Sequence, residues 1–134
     1  MDIAYKGSCL CGQVTFEADR LSEQAANCHC TMCRKFHGAA FGTLVSALNL
    51  KWLSGMPLLQ DYVAANGTIR TFCKQCGSSL GFRVKGAHFE QLEIAISTFD
   101  DDIPVKVDAH IYTNHKACWH CITDQLPQHG EGRK

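Results

Sequence analysis

The sequence predicts a mainly β domain whose short strands are tied together at two places by metal. Three observations carry this. Apolar and polar residues alternate over short runs, the pattern of a strand with one buried face. No apolar pattern of helical period, with proper caps, runs beyond about two turns. Most of the nine cysteines fall into three tight clusters: Cys9-Leu10-Cys11, Cys28-His29-Cys30-Thr31-Met32-Cys33 and Cys73-Lys74-Gln75-Cys76.

Taken in order, Gln13–Glu17 alternates, with Val14 and Phe16 on one face. A short helix is expected near Thr31–His37. Phe41–Val45 and Leu50–Leu53 follow as strands, and Ser54-Gly55-Met56-Pro57 is a turn. Leu59–Val63 reads as a strand. Asn66-Gly67 is a strong hairpin signal before the next strand, Ile69–Phe72. Ser79–Val84 leads to a turn at Lys85-Gly86, and Leu92–Ile96 and Ala109–Tyr112 complete the set. From Gln128 to Lys134 the chain lacks apolar side chains, so residues 128–134 are expected to form a flexible tail beyond a domain of residues 1–127.

With 134 residues, 46% of them apolar and 19% charged, the chain has the size and composition of one globular domain with a real core. Thirteen basic residues balance thirteen acidic ones. Zero net charge with no basic block leaves no electrostatic footprint for nucleic acid or an anionic membrane. No apolar run reaches transmembrane length. The first residues, Met1-Asp2-Ile3-Ala4-Tyr5-Lys6, contain no apolar core of a signal peptide, so the expected address is the cytoplasm. In a reducing compartment cysteines of this number do not read as disulfides, and an odd count cannot pair completely within one chain.

Metal binding is the reading that remains. Cys73-x-x-Cys76 followed by Gly77 is a zinc knuckle: two thiolates leave one tight turn, and the glycine lets the backbone take positive φ after the second ligand. Cys9-x-Cys11, also followed by a glycine, can supply the other half of a four-ligand site. Cys28-x-Cys30-x-x-Cys33 holds three cysteines within six residues, and three protein ligands plus one exchangeable position mark a catalytic zinc. His29 lies between two of these ligands and would strain to point inward. It is read as an exposed residue rather than a fourth ligand. Spacing alone leaves the pairing of the clusters open. Cys118-Trp119-His120-Cys121 is a further half-knuckle, but no glycine follows it and Trp119 reads as a core residue.

These residues resemble the glutathione-dependent formaldehyde-activating enzyme (GFA) family, which includes centromere-protein-V-like domains. The resemblance rests on Gly7-Ser8-Cys9-Leu10-Cys11-Gly12-Gln13-Val14, on Cys28 through Gly38, and on Phe72-Cys73-Lys74-Gln75-Cys76-Gly77. It continues at Ser97-Thr98-Phe99-Asp100-Asp101, His110-Ile111-Tyr112, Trp119 and Asp124-Gln125-Leu126-Pro127, and so spans residues 1–127 in the family's order. It implies an Mss4-like β-tent of small antiparallel sheets held by two zinc ions. It also implies a ligand pairing: Cys9, Cys11, Cys73 and Cys76 for a structural zinc, and Cys28, Cys30 and Cys33 for an open one. Cys118 and Cys121 depart from the family pattern, and Cys118 is read as a small core residue.

The activity the resemblance implies is that of a carbon–sulfur lyase of the S-(hydroxymethyl)glutathione synthase type, acting on glutathione and formaldehyde or a related thiol adduct. A thiol entering an open zinc site loses its proton, which suits that chemistry. Glutathione carries two carboxylates, and Arg34 and Lys35, directly after the site, are candidate partners. His37 is the candidate proton shuttle, while His110 reads as a hydrogen-bonded core residue. The competing reading is a non-catalytic zinc-binding interaction module of the same fold, whose second zinc is absent or closed by a fourth protein ligand. The sequence does not disclose an oligomeric state.

Overall fold

A computed structural model describes residues 4–87 and 92–133. The chain is mainly β, and its described strands form two sheets. The strands are β1 (Tyr5–Ser8), β2 (Thr15–Ala18), β3 (Arg20–Leu21), β4 (Gln24–Cys28), β5 (Gly42–Leu48), β6 (Lys51–Ser54), β7 (Leu59–Val63), β8 (Ile69–Cys73), β9 (Ser79–Arg83), β10 (Glu93–Ala95) and β11 (Lys106–Ile111). The single α-helix among the described residues, α1, spans Thr31–His37, where the sequence placed it.

The smaller sheet has the order β1-β2-β6 and is antiparallel. The larger runs β11-β4-β5-β10-β9-β8-β7, with β3 paired to β5. Its neighbours are antiparallel except β11 and β4, which run parallel with an irregularity between Val107 and Ala109. The expected hairpin at Asn66-Gly67 is present: Gly67 has φ +89°, and β7 and β8 pair from Leu59 opposite Cys73 to Val63 opposite Ile69. The turn at Gly55 also needs its glycine. Its φ is +78°, and a Cβ there would stand 2.4 Å from the Gln13 carbonyl oxygen.

Alternation sets the core. Phe16 and Ala18 of β2, Val45 and Ala47 of β5, and Leu92 and Ile94 around β10 bury against one another with Leu21 and Leu50. Phe16 is wholly buried and meets Trp52 and Phe99 edge-on, with ring centroids 5.6 and 5.5 Å apart. A second cluster, Val14 and Leu80 with Cys9 and Cys73, lies under one cysteine group.

Strands β1, β3 and β4 were not expected. Gln24-Ala25-Ala26-Asn27-Cys28 contains no β-branched or aromatic residue, so propensity gives no signal there. Its strand character comes from its partners β11 and β5. The segment expected to fray makes backbone hydrogen bonds along β11. His129 N–H donates to the His110 carbonyl at 2.8 Å, and just beyond β11 Tyr112 N–H donates to the Glu131 carbonyl at 2.8 Å and Thr113 N–H to that of His129 at 3.1 Å. Arg133 also pairs with Asp108 at 2.6 Å. Lys134 lies outside the described residues.

Two cysteine groups and the cavity beside them

The β1–β2 turn carries Cys9 and Cys11, while Cys73 ends β8 and Cys76 lies in the turn from β8 to β9. The two turns are built alike. Gly12 N–H donates to the Cys9 carbonyl at 3.0 Å, and Gly77 N–H to the Cys73 carbonyl at 2.7 Å. Both glycines have positive φ, +81° and +79°, with open space around them, so it is backbone conformation that calls for glycine. Leu10 N–H donates to Ser78 Oγ at 2.7 Å and locks one turn to the other. The four sulfur atoms lie within 4.8 Å of one another and could hold a metal ion. Burial pushes the Cys76 thiol up, but hydrogen bonds from the Ser78 side chain and backbone outweigh it and bring it down to about 5.

The second group joins a strand end to a helix start. Cys28 closes β4, Cys30 is the N-cap of α1, and Cys33 lies in its first turn. Cys33 N–H donates to Cys30 Sγ at 3.2 Å, and α1 stops at Gly38, which is left-handed at φ +62°. These three sulfurs also lie within 4.8 Å of one another. Among the described residues, no fourth cysteine, histidine or carboxylate joins them. Hydrogen bonds from Cys28 and then Cys33 bring the Cys30 thiol down to about 2, while Cys28 is pushed far up, first by Cys30 and then by Cys33.

Arg70 completes this group, and sequence reasoning missed it. It sits on β8, only 5% exposed, with Nη1 and Nη2 3.8 and 3.7 Å from Cys33 Sγ. Its guanidinium is flanked by the rings of Phe36, 5.3 Å away, and Phe82, 4.9 Å away. A buried cation needs a compensating charge, and the thiolates provide one. The only sequence signal was a lone arginine inside the apolar run Ile69–Phe72, which has no meaning until the fold brings Cys33 to it.

Cys28, Cys30 and Cys33 open onto a cavity of about 980 Å³, whose wall also carries Arg70, Glu93, Asn66, Thr68, Tyr112 and Arg133. Burial pushes the Glu93 carboxyl up, and Arg70 partly offsets the shift. The three expected substrate and proton-transfer residues lie elsewhere. Arg34 Nη1 donates to the His115 carbonyl at 3.0 Å, while Lys35 and His37 line a separate cavity of about 860 Å³ with Cys9, Ser97 and Asp100. Burial, and then the Arg70 charge, hold His37 down at about 4, and its Nε2 is buried with no hydrogen-bond partner among the described residues.

Two expectations near these groups need correction. His29 is not exposed: it is wholly buried, with Nε2 2.8 Å from His110 Nδ1. Extended backbone turns it away from its two cysteine neighbours and into the protein. Trp119 and Cys118 are not core residues: Trp119 is 66% exposed and Cys118 is exposed. A turn closed by His120 N–H on the Ala117 carbonyl projects both outward, and the small Ala117 takes the interior place. Cys121 is likewise exposed, and neither cysteine belongs to a ligand group. His110 is buried and hydrogen-bonded, as expected.

Residues 4–115 match the model of the family described as glutathione-dependent formaldehyde-activating enzyme. The chain belongs to the GFA family. A relative in Schizosaccharomyces pombe, named an uncharacterized lyase, is 30% identical over 78 residues. That match covers 58% of this chain and 56% of the relative, so the chain spans little more than half its length. A solved Rhodobacter sphaeroides protein shares the GFA chain's fold, with a TM-score of 0.60 at 24% identity, over 74% of this chain and 91% of that one. No helix among the described residues is long and apolar enough to cross a membrane.

Proposed function

We propose that this GFA-family chain is a zinc-dependent carbon–sulfur lyase of the S-(hydroxymethyl)glutathione synthase type, acting on glutathione with formaldehyde or on a related thiol adduct. The observation that carries the reading is the three-cysteine group with no fourth protein ligand among the described residues, set in the wall of a largely apolar cavity that also carries a few charged and polar side chains. Cys9, Cys11, Cys73 and Cys76 would hold a structural zinc, and Cys28, Cys30 and Cys33 an open one. Their all-thiolate donor sets, gathered within 4.8 Å, fit zinc. When bound at the open site, zinc supplies a position at which a thiol gives up its proton near neutral pH.

The reaction balances without a further reactant. A bond forms between the thiol sulfur and the aldehyde carbon, and the thiol proton ends on the new hydroxyl oxygen. The protein's own part is to hold the reactants and place that proton. Arg70 offsets the charge of three thiolates from the buried side. Arg133, on the cavity wall, would serve a substrate carboxylate only by sharing or exchanging its two-point pair with Asp108. Glu93 is the carboxyl placed to take and return a proton, because burial raises its affinity for one. His37 and Lys35 would serve a ligand only in the neighbouring cavity.

Exchange spectroscopy on a mixture of glutathione and formaldehyde tests the activity. The protein is expected to speed interconversion of the free and hydroxymethylated thiol, and Cys30→Ser to abolish the effect. An unchanged exchange rate with metal-loaded protein would sink the lyase reading. The alternative, a non-catalytic interaction module, draws support from the exposed apolar side chains Tyr62 and Val63 on the end strand β7. It would gain if the metal-loaded protein were inactive while Tyr62→Ser and Val63→Ser changed its association state.

A further inference from the structure

Cys28 and Cys30 flank His29, and successive side chains in extended backbone point to opposite sides. The two cysteines face the cavity, while His29 lies on the far side, wholly buried. There His29 Nε2 is 2.8 Å from His110 Nδ1, and His110 Nε2 is 2.9 Å from the Asp124 carboxylate. The direction of this chain of bonds is set at its acidic end. An ionised carboxylate only accepts, so His110 Nε2 carries a hydrogen. With both rings neutral, His110 Nδ1 is then a lone pair and His29 Nε2–H donates to it. The backbone follows the same route, since His29 N–H donates to the Ile111 carbonyl at 2.9 Å. Phe41 packs against both rings, with centroids 5.0 Å from His29 and 6.2 Å from His110.

We infer that Asp124, His110 and His29 form a positioning device for the open metal site: by fixing the rotation of the Cys28–Cys30 segment from behind, they aim both sulfurs at the cavity. The geometry leaves little alternative. A rotation that freed His29 would carry Cys28 and Cys30 with it, because the three side chains share one extended stretch. The role rests on the reading that Cys28, Cys30 and Cys33 hold a metal ion. It assigns work to Asp124, which lies outside the residues the family model matches.

The test is cadmium NMR on protein loaded with cadmium alone, with transfer of the metal to a chelator timed in parallel. The unsubstituted protein is expected to show two resonances, one for each cysteine group. Asp124 is 45% exposed, so Asp124→Ala should fold normally. It is expected to move the resonance of the three-cysteine group and speed its metal loss by about 10–100-fold, the usual effect of removing a partner behind a ligand. The four-cysteine resonance should stay where it is. Asp124→Asn keeps an oxygen acceptor for His110 and should restore most of the original behaviour. If Asp124→Ala left both resonances and both transfer rates unchanged, or moved both alike, the positioning role would be overturned. An Asn variant as impaired as the Ala variant would overturn it too. A single bound cadmium in the unsubstituted protein would instead overturn the metal reading on which the role depends.

Discussion

Arg70 is the residue on which the character of the three-cysteine group turns. Its guanidinium is confined between two aromatic rings and faces Cys33. Arg70→Gln keeps much of the volume but removes the charge, leaving the thiolates uncompensated. We expect metal affinity at this group to fall by about 10–100-fold, measured by chelator competition, with the four-cysteine group unaffected. His37 makes a different prediction. In the folded chain it titrates near 4, below the ordinary 6.5, because burial and Arg70 disfavour its charged form. The unfolded chain therefore binds the proton more readily, and the His37 contribution is intact above about pH 6.5 and lost as pH falls toward 4. The loss is on the order of 2 kcal/mol once the partial exposure of the ring is allowed for. His37→Gln should flatten the fall in stability between those pH values, as read by denaturant titration; an equally steep fall would refute this. At this scale the cysteines were legible because their spacing is local. Arg70 and the buried His29 were not, because each takes its meaning from a residue far away in sequence.

Among the elements, the contact between α1 and β5 fixes the packing of the helix that carries Cys33. The His37 ring lies directly over Gly42, where a Cβ would come within 2.1 Å of His37 Cδ2. Gly42→Ala must push the ring, and α1 with it, off the sheet. The expected cost is about 1–3 kcal/mol, the usual range for overpacking, seen as a lower thermal midpoint. The same shift should disturb metal binding at Cys33 more than at Cys73. A midpoint equal to that of the unsubstituted chain would show that the ring has room to move. Strands β2 and β5 to β10 were legible because alternation and turn residues are written locally. Strand β4 was not: it pairs in parallel with β11, some eighty residues onward, and its small and polar side chains carry no mark of that.

For the whole molecule, the four-cysteine group joins the small sheet to the large one, since its cysteines come from the β1–β2 turn, the end of β8 and the β8–β9 turn, and a metal held there would fasten the two sheets together. Chelation should therefore unfold or strongly destabilise the chain. Cys76→Ser should lower the thermal midpoint far more than Cys30→Ser, with calorimetry as the check. Equal losses would mean that the two groups share the structural work. The β class and the gathering of the cysteines into two groups could be read from the sequence, whereas the path of residues 128–133 along β11 could not, since a polar segment held through its backbone has no side-chain signature. The separation of the staple's two halves bears on biosynthesis. Cys11 and Cys73 stand 62 positions apart. At about 5–20 residues per second on the ribosome, the first pair waits about 3–12 seconds for the second. If the four cysteines hold a metal, Cys9 and Cys11 are unprotected thiols during that interval, so oxidant or scarce metal at the time of synthesis should lower the yield of folded chains.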